Sequence, residues 1–360
     1  MPRPCPHADL WVSRLAVAKG CLRKDPEYVA RIMAREFKRF NLKHMISSLL
    51  PKKADGSRVD IGGELIDQEL VSAMASADLF LRVYRGDWPL SQKLRDYFEM
   101  QDSLLSRLVA ASVCGHSDVI LVDTGWTGNT QAMLMRRFNE LRWIGLYFGR
   151  WDYRDVKPHH LSQVAGLICD DSVARLKDPE AAIFDFHHLI EGLLEINCGT
   201  VEGYHVDGVS GEIVLDGGSE CGYSLEPMEH EDLFGGVVEF FCRASRSWSE
   251  REITAKATEA LYTLSKKIRY PKPEDLRIIA VPSRSIDFGR KGSNPVLRDA
   301  VKRPSLVNRL KNIDSALWKQ GQMTVDFPRI YPFLQLLYNT LRSSRGGRAL
   351  VKALSRVVVH

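Results

Sequence analysis

Residues 119–134 read VILVDTGWTGNTQAML, and this stretch decides the fold. Its first four residues favour a β-strand, and the glycines and polar residues after them favour a turn. Residues 131–141, QAMLMRRFNEL, predict a helix, and RWIGLYFG at 142–149 predicts a second strand. Because a strand, a helix and a strand in this order form a βαβ unit, the sequence predicts a parallel sheet. The predicted fold class is therefore α/β, with a parallel-sheet domain of the nucleotide-binding type.

Helical patterns dominate the chain before this stretch. Asp25 and Pro26 supply an N-cap and a first-turn residue for a helix over 26–40. The apolar side chains of that helix fall on one stripe, which consists of Val29, Ile32, Met33, Phe37 and Phe40. We therefore predict a helical N-terminal region that packs through this stripe, followed by a loop at 51–64.

The chain after the sheet mixes helical and strand patterns. Residues 182–196 predict a helix, 198–218 predict a β-hairpin or meander, and 251–270 predict a helix that stops before Pro271. This part is therefore mixed α+β. We predict three regions: an α/β domain at 1–180 with a ligand turn at 119–134, a mixed helix and hairpin segment at 181–242, and a basic, mainly helical region at 243–360.

Charge is divided unevenly along the 360 residues. From residue 243 to the end the chain has 24 Lys and Arg against 9 Asp and Glu, whereas residues 1–242 have 26 against 36. A basic region of this kind favours an anionic partner, such as a membrane surface, a phosphorylated substrate, nucleic acid or the acidic remainder of the chain, and a solvated basic face is the alternative. We expect no nucleic acid among the partners.

The sequence also predicts a cytoplasmic location. It lacks an apolar run of the roughly 18 to 20 residues that a transmembrane helix needs, and residues 1–11 do not follow a signal-peptide pattern. Seven widely spaced cysteines, without a Cys-x-x-Cys pair, predict reduced thiols rather than a disulfide framework or a structural zinc site.

The residues of the predicted turn suit a bound phosphate or nucleotide. Glycine lets the backbone bend and approach a ligand, and the N–H groups at the start of the next helix attract an anion. The loop follows a parallel strand, and ligands of such sheets bind at the carboxyl ends of the strands. We predict Asp123 as the catalytic or hydroxyl-orienting residue. The predicted ligand-binding residues are Gly125, Trp126, Thr127, Gly128, Asn129 and Thr130, in an exposed turn.

Two alternatives remain open for this turn. It is a purely structural connection if Thr127 or Asn129 caps the helix. Trp126 either packs back into the core, which is the commoner outcome for a large aromatic residue, or covers a ligand.

Three known loops resemble the turn. The Thr-Gly-x-Thr of phosphoribosyltransferases, which cradles a phosphate, matches Thr127–Thr130, with Asp123 as the second acid and Val122 in place of the first. The methyltransferase loop matches Asp123 and Gly125, but larger residues replace its later glycines. The haloacid dehalogenase loop would make Asp123 a nucleophile, but Gly125 stands where its general acid belongs. We therefore do not expect phosphatase activity.

Residues 123–131, DTGWTGNTQ, follow the pattern Asp-x-Gly-Trp-x-Gly-x-x-Gln. The accompanying short motifs are Val-Ser-Arg at 12–14, Gly-x-Tyr at 145–147, a helix with Glu191, and Gly-Tyr at 203–204. Together they resemble a bacterial family associated with surface-polysaccharide gene clusters, whose members are described as predicted hydrolases of the haloacid dehalogenase superfamily. The resemblance implies a role in making or modifying a cell-surface glycan. The hydrolase-like region of that family, with its own Asp-x-Asp motif, has no counterpart ahead of Trp11.

Two further groups of residues are candidate contacts. On the helix at 182–196, His187 and His188 lie four and three positions before Glu191, so the three side chains share one face as a candidate second site. We expect a helix-face ion pair or a substrate contact there, and no metal. The acidic run at 226–232 could offer a further ligand, but nothing in the sequence brings it to this helix. In the loop at 283–293, Arg284, Arg290 and Lys291 accompany hydroxyls and glycines and suit phosphate oxygens. A solvated basic loop is the alternative.

These observations predict a transferase-like protein of surface-polysaccharide biosynthesis. It would bind a sugar phosphate, a nucleotide sugar or a phosphoribosyl donor at the Asp123 turn, and glycan-assembly proteins are its predicted macromolecular partners. The alternatives are a non-catalytic partner or scaffold of a glycan-assembly complex, and a methyltransferase dependent on S-adenosylmethionine. The sequence identifies no cofactor.

The tail at 327–360 predicts a peripheral contact with the inner face of the membrane. Its first half is rich in large apolar residues, and its second half sets apolar residues against Arg345, Arg348, Lys352 and Arg356. Apolar and cationic faces on one helix are typical of interfacial helices. A core-packing helix followed by a short solvated one is the alternative.

Overall fold

A computed structural model of the chain describes residues 10, 12–37, 40–51, 67–152, 159–173, 175, 178–194, 201–216, 233–279, 284–285, 293–294, 296–298 and 305–343. The helices before the first strand are α1 Arg14–Cys21, α2 Pro26–Glu36, α3 Leu42–Leu49, α4 Gln68–Ser72, α5 Ala77–Arg85 and α6 Pro89–Val113. The predicted loop at 51–64 lies outside the described residues except for its first residue.

The start of α2 agrees with the sequence prediction. The Asp25 side chain accepts a hydrogen bond from the Tyr28 N–H at 3.3 Å, and Pro26 is the first helical residue. The cap satisfies one of the donors that the first turn of a helix leaves without a partner. The apolar stripe packs inward: Val29, Ile32, Met33 and Phe37 are buried, and Phe40 is partly buried against the same core.

The predicted parallel sheet is confirmed. Its strands are β1 Asp118–Trp126, β2 Arg142–Arg150 and β3 Val164–Asp170, and α7 Asn129–Arg137 connects β1 to β2. β1 pairs with β2 and β2 with β3, so the strand order is β1-β2-β3 with all strands parallel. The described chain thus has a mixed α/β fold in which a helical region precedes the sheet.

The two faces of the sheet differ in burial. Trp143 and Tyr147 of β2 are buried against the helices. On the opposite face, Ile120 and Val122 of β1, whose partners in β2 are Ile144 and Leu146, are 53% and 72% exposed. Parallel sheets ordinarily bury both faces. Within the described part of the chain, this sheet therefore presents an open apolar face.

The segment after the sheet departs from the prediction of one continuous helix. A 3-10 helix occupies Glu180–Asp185, and α8 follows at His187–Leu194. Between them Phe186 has φ −148° and ψ 57°, which is not helical. Its ring is buried and stacks on Trp318, with 4.8 Å between the centroids. This contact, made far along the chain, explains the break.

The predicted hairpin consists of β4 Gly203–Val206 and β5 Ile213–Asp216, which pair antiparallel. Gln101 of α6 holds it: Gln101 Nε2 donates to the Tyr204 carbonyl at 2.7 Å, and Gln101 Oε1 accepts from the Tyr204 N–H at 3.0 Å. The Tyr204 side chain is buried in the same core as the N-terminal helices. The hairpin therefore packs with the first region, and the predicted boundaries at 180 and 242 stay predictions.

The elements of the C-terminal part are α9 Leu233–Ser247, α10 Glu250–Arg269, α11 Asp275–Ile279, β6 Arg284–Ser285, β7 Ser293–Asn294, α12 Leu306–Ser315, α13 Lys319–Asp326 and α14 Tyr331–Ser343. A capping box between Ser249 and Glu252 begins α10. A second buried cluster joins Phe186 and Leu189 to Ile268 and Trp318. The described part of this region is mainly helical, with one short antiparallel pair.

Helix α14 buries a polar side chain, Gln335, beside the partly buried Leu334 and Tyr338. Gln335 is buried, and its Nε2 donates to the Pro271 carbonyl at 3.1 Å, to the Gln320 carbonyl at 3.2 Å and to Thr324 Oγ1 at 2.8 Å. On the outer side, Phe333 is 65% and Leu336 55% exposed. The helix is therefore attached partly through a buried amide network, while several of its large apolar side chains face outward.

The end of the tail, residues 344–360, lies outside the described residues. Among the helices that are described, none combines the length and the apolar character needed to cross a bilayer.

Replacing Gln335 with leucine tests the buried network. The change removes the donor that three buried acceptors share, so the free energy of unfolding should fall by about 1–3 kcal/mol. Leu336→Gln, at the exposed neighbouring position, is the matched control and should change it by less than about 0.5 kcal/mol. Urea unfolding followed by circular dichroism measures both. Equal stability of Gln335→Leu and the parent chain would contradict the network.

Candidate functional site at the carboxyl end of the sheet

The predicted ligand turn runs from the end of β1 into α7, and its backbone is left-handed at three positions. Gly125 has φ +94°, Trp126 +69° and Gly128 +64°. Glycine adopts this conformation without steric cost, whereas it is rare for a bulky residue. A Cβ on Gly125 would also lie 2.4 Å from the Cβ of Tyr147. The backbone and this close approach therefore explain the glycine at 125.

Trp126 packs inward. Its side chain is buried, and the indole Nε1–H donates to Glu191 Oε1 at 2.9 Å. The ring meets Phe184 and His187 edge to face, with 6.3 and 5.1 Å between centroids. The sequence left open whether Trp126 packs into the core or covers a ligand. In the structure it packs into the core. The left-handed φ of Trp126 is unfavourable on its own. The hydrogen bond to Glu191 and the aromatic contacts hold the residue in this conformation.

The bond from Trp126 to Glu191 brings together the two candidate sites that the sequence kept apart. Glu191 Oε2 lies 2.9 Å from His188 Nδ1, and the centroid of the His188 ring lies 3.9 Å from that of His187. Burial, together with the neighbouring His188, lowers the pKa of His187 to about 4. The His187 ring is therefore neutral near neutral pH.

Gly128 corrects the expectation that the whole turn is exposed. It is buried, and a Cβ there would lie 3.0 Å from the Tyr147 hydroxyl and 3.1 Å from His160 Nε2. His160 lies in a 3-10 helix at His159–Gln163, and its Nε2 is 2.9 Å from the Thr127 carbonyl oxygen. This side of the turn is thus filled by protein because a helical segment after β2 packs on it.

Asp123 is the residue of the 123–131 motif that is exposed, whereas the others are half-buried or buried. Its carboxylate accepts a hydrogen bond from Thr124 Oγ1 at 3.2 Å. Although the residue is exposed, protein atoms crowd its carboxyl, and this partial desolvation raises the pKa of Asp123. By contrast Gln131 is buried, and its Oε1 accepts from the Tyr147 hydroxyl at 2.7 Å.

Helix α7 begins without a side-chain cap. Gly128 is its N-cap residue, so the alternative of a turn capped by Thr127 or Asn129 is wrong. Asn129 and Thr130 form the first turn of the helix and are half-buried. The N–H groups at an uncapped helix start, with the helix dipole, favour a bound anion.

The ends of the other two strands add residues that sequence reasoning missed. Trp126, Arg150 and Asp170 are the last residues of β1, β2 and β3, and they pair in register. Arg150 Nη2 lies 3.0 Å from Asp152 Oδ1, and Arg150 Nη1 lies 3.6 Å from Asp170 Oδ2. The position of Arg150 directly after the predicted second strand was the signal, because parallel strand ends meet at one edge.

Of the three cationic residues in the predicted basic loop, the structure describes only the backbone of one. The backbone of Arg284 forms part of β6, and Arg290 and Lys291 lie outside the described residues. Their phosphate-binding role stays a prediction.

The strand order bears on the nucleotide-binding part of the prediction. Crevices of nucleotide-binding sheets form where the strand order reverses. The order β1-β2-β3 runs in one direction, so no such reversal occurs among the described strands.

Comparisons of the chain with protein-family models, with curated proteins and with solved structures give no match. The motif resemblance described above is therefore neither supported nor contradicted by them.

The buried His160 makes stability depend on pH. Burial lowers its pKa below the ordinary value of 6.5, so the unfolded chain binds a proton at a higher pH than the folded chain. The stability contributed by the neutral ring is complete above that value and is lost as the pH falls below it. His160→Gln, which keeps an N–H donor for the Thr127 carbonyl, should weaken the loss of stability between about pH 7.5 and about pH 5.5. Urea unfolding at both pH values measures this. If the free energy of unfolding depends on pH in the same way in His160→Gln and in the parent chain, His160 is not the source of the pH dependence.

Proposed function

We propose that this chain is a transferase-like protein of surface-glycan biosynthesis that binds a sugar phosphate, a nucleotide sugar or a phosphoribosyl donor at the Asp123 turn. The proposal rests on which residues of the motif at 123–131 are packed and which one is exposed. Its two glycines, Trp126 and Gln131 serve the packing of the turn, whereas Asp123 is exposed as a residue, with its carboxyl partly desolvated. Asp123 is therefore the motif residue that remains available to a ligand.

The geometry of the turn supports a phosphorylated ligand. A phosphate would lie at the uncapped start of α7, where N–H groups and the helix dipole favour negative charge. Asp123 lies at the same end of the sheet and would accept a hydrogen bond from a ribose or sugar hydroxyl. The partial desolvation of its carboxyl strengthens such a bond. The assignment to surface glycans rests on the motif resemblance.

A second candidate function is that of a non-catalytic partner in a glycan-assembly complex. The open apolar face of the sheet supports it, since Ile120 and Val122 are exposed on a parallel strand. A protein partner that covers this face would complete the burial of the sheet. This candidate needs no small-molecule ligand, so ligand binding separates it from the first.

A thermal-shift screen with nucleotide sugars, phosphoribosyl pyrophosphate and S-adenosylmethionine tests the first proposal. A ligand that binds only the folded chain at a hundred times its Kd adds about 2.7 kcal/mol of stability. We expect a shift with a phosphorylated sugar donor, and in Asp123→Asn a loss of affinity of about tenfold or more, the equivalent of one charge-assisted hydrogen bond.

The matched control is Asp118→Asn, at the opposite end of the same strand. Asp118 is exposed and pairs with Arg142 at 3.0 Å, so its loss should cost little stability and leave affinity unchanged. A shift with S-adenosylmethionine alone would favour the methyltransferase. No shift with any donor, or equal affinity in Asp123→Asn and the parent chain, would exclude the proposed ligand site.

We also propose that the tail places the protein at the inner face of the membrane. Phe333 and Leu336 of α14 face outward, and the sequence after α14 adds Arg345, Arg348, Lys352 and Arg356 without an acidic residue. Apolar side chains enter the interface, and each cation near an anionic leaflet adds about 1 kcal/mol.

Vesicle co-sedimentation tests the tail. We expect binding to anionic but not to neutral vesicles, weakening with added salt, and loss on deletion of residues 344–360. Phe333→Ser should weaken binding, whereas Val209→Ser, which changes an exposed valine on the hairpin, is the control. If the same amount of protein stays in the supernatant with and without anionic vesicles, the proposed membrane contact of the tail is excluded.

A further inference from the structure

We infer that His187, His188 and Glu191 bind one divalent transition-metal ion of the zinc type. The three side chains each offer one ligand atom, and these atoms lie within 4.8 Å of one another. Adjacent residues of a helix ordinarily diverge, but His187 is the first residue of α8, and its ring centroid lies 3.9 Å from that of His188. The start of the helix thus turns both imidazoles toward the same carboxylate.

The spacing suits a single ion. A tetrahedral zinc ion with bonds of about 2.1 Å holds its ligand atoms about 3.4 Å apart, so the widest pair has to close by at most about 1.4 Å. His188 Nδ1 and Glu191 Oε2 are 2.9 Å apart, so an ion between them has to replace their hydrogen bond and move them about 0.5 Å further apart. Rotation of the His187 side chain supplies the remainder.

A hydrogen bond from outside the cluster orients the carboxylate. Trp126 Nε1 donates to Glu191 Oε1, which leaves Oε2 directed at His188. Metal-binding carboxylates ordinarily have such an outer partner, because it fixes the orientation of the ligand atom. The indole therefore supplies the outer partner that a metal-binding carboxylate needs.

The surroundings of His187 point the same way. Its ring packs against Trp126 and Trp151, with centroids 5.1 and 5.5 Å away. Within the described residues the structure gives this ring aromatic neighbours and no hydrogen-bond partner. The residue is half-buried, and a metal ion would give its ring nitrogen a partner beside these aromatic neighbours.

The donor set defines the class of metal. Two imidazoles and one carboxylate suit zinc and cobalt, whereas calcium and magnesium prefer all-oxygen sites. Three protein ligands leave a further coordination position for water or for an oxygen of a bound molecule. This inference does not depend on the ligand proposed for the Asp123 turn.

Titration of the metal-free full chain with Co²⁺ tests the site. We expect one Co²⁺ per chain, visible absorption bands typical of a low-coordinate cobalt ion, and displacement by Zn²⁺. Glu191→Gln keeps an oxygen for the Trp126 indole but removes the charged ligand, and it should weaken Co²⁺ binding by at least about tenfold. His188→Ala should do the same, and circular dichroism of both variants checks that they fold.

His205→Ala is the matched control. His205 Nδ1 lies 2.6 Å from Asp216 Oδ1, so this exposed pair has the same chemistry as His188 and Glu191 but has no third ligand among the described residues. Its loss should leave the Co²⁺ affinity and spectrum unchanged. Absence of stoichiometric binding to the parent chain would overturn the inference. Equal affinity in Glu191→Gln and the parent would overturn it too, even if His188→Ala failed to fold.

Discussion

The hydrogen bond from the Trp126 indole to Glu191 connects residues that lie 65 positions apart in the chain. It forms because the backbone at Trp126 is left-handed, a conformation that costs on the order of 1–3 kcal/mol for a residue with a bulky side chain. Burial of the indole and the bond to Glu191 offset that cost. α8 is thereby held against the end of β1, and the stack of Phe186 on Trp318 connects α8 to the C-terminal helices.

The parts of the fold that the sequence predicted well are those whose causes are local. The cap at Asp25, the stripe of α2 and the order of β1, α7 and β2 depend on residues that are neighbours in the sequence. The break at Phe186 has its cause in Trp318, a contact that no local pattern reveals. The inward-facing Gln335 is similar, because its partners are the carbonyls of Pro271 and Gln320. The apolar stripe of α2 did predict its buried face, but the apolar residues of α14 do not predict that Gln335 faces inward.

The candidate site also has parts that were predictable from the local sequence and parts that were not. The turn and Asp123 were predictable because a strand, glycines and a helix start follow one another directly. The burial of Gly128 was not predictable, since it depends on His160 in a segment after the next strand. The contact between Trp126 and the His187, His188 and Glu191 group was also missed, because helix spacing shows which side chains share a face but not what that face meets. A site built from several elements requires the tertiary arrangement.

The contacts that attach α14 to the rest of the chain determine how this helix detaches during local unfolding. The heat capacity of unfolding and its dependence on denaturant both grow with the apolar area that becomes exposed. α14 buries the amide of Gln335 and leaves Phe333 and Leu336 outside. Its release therefore exposes new apolar area mainly where Leu334 and Tyr338 pack on the C-terminal cluster. Detachment of the helix would then respond weakly to urea and to temperature, and would occur as a local event separate from global unfolding. Phe333 and Leu336 are exposed while α14 is attached. A partner can therefore bind this outer side of the helix without detaching it.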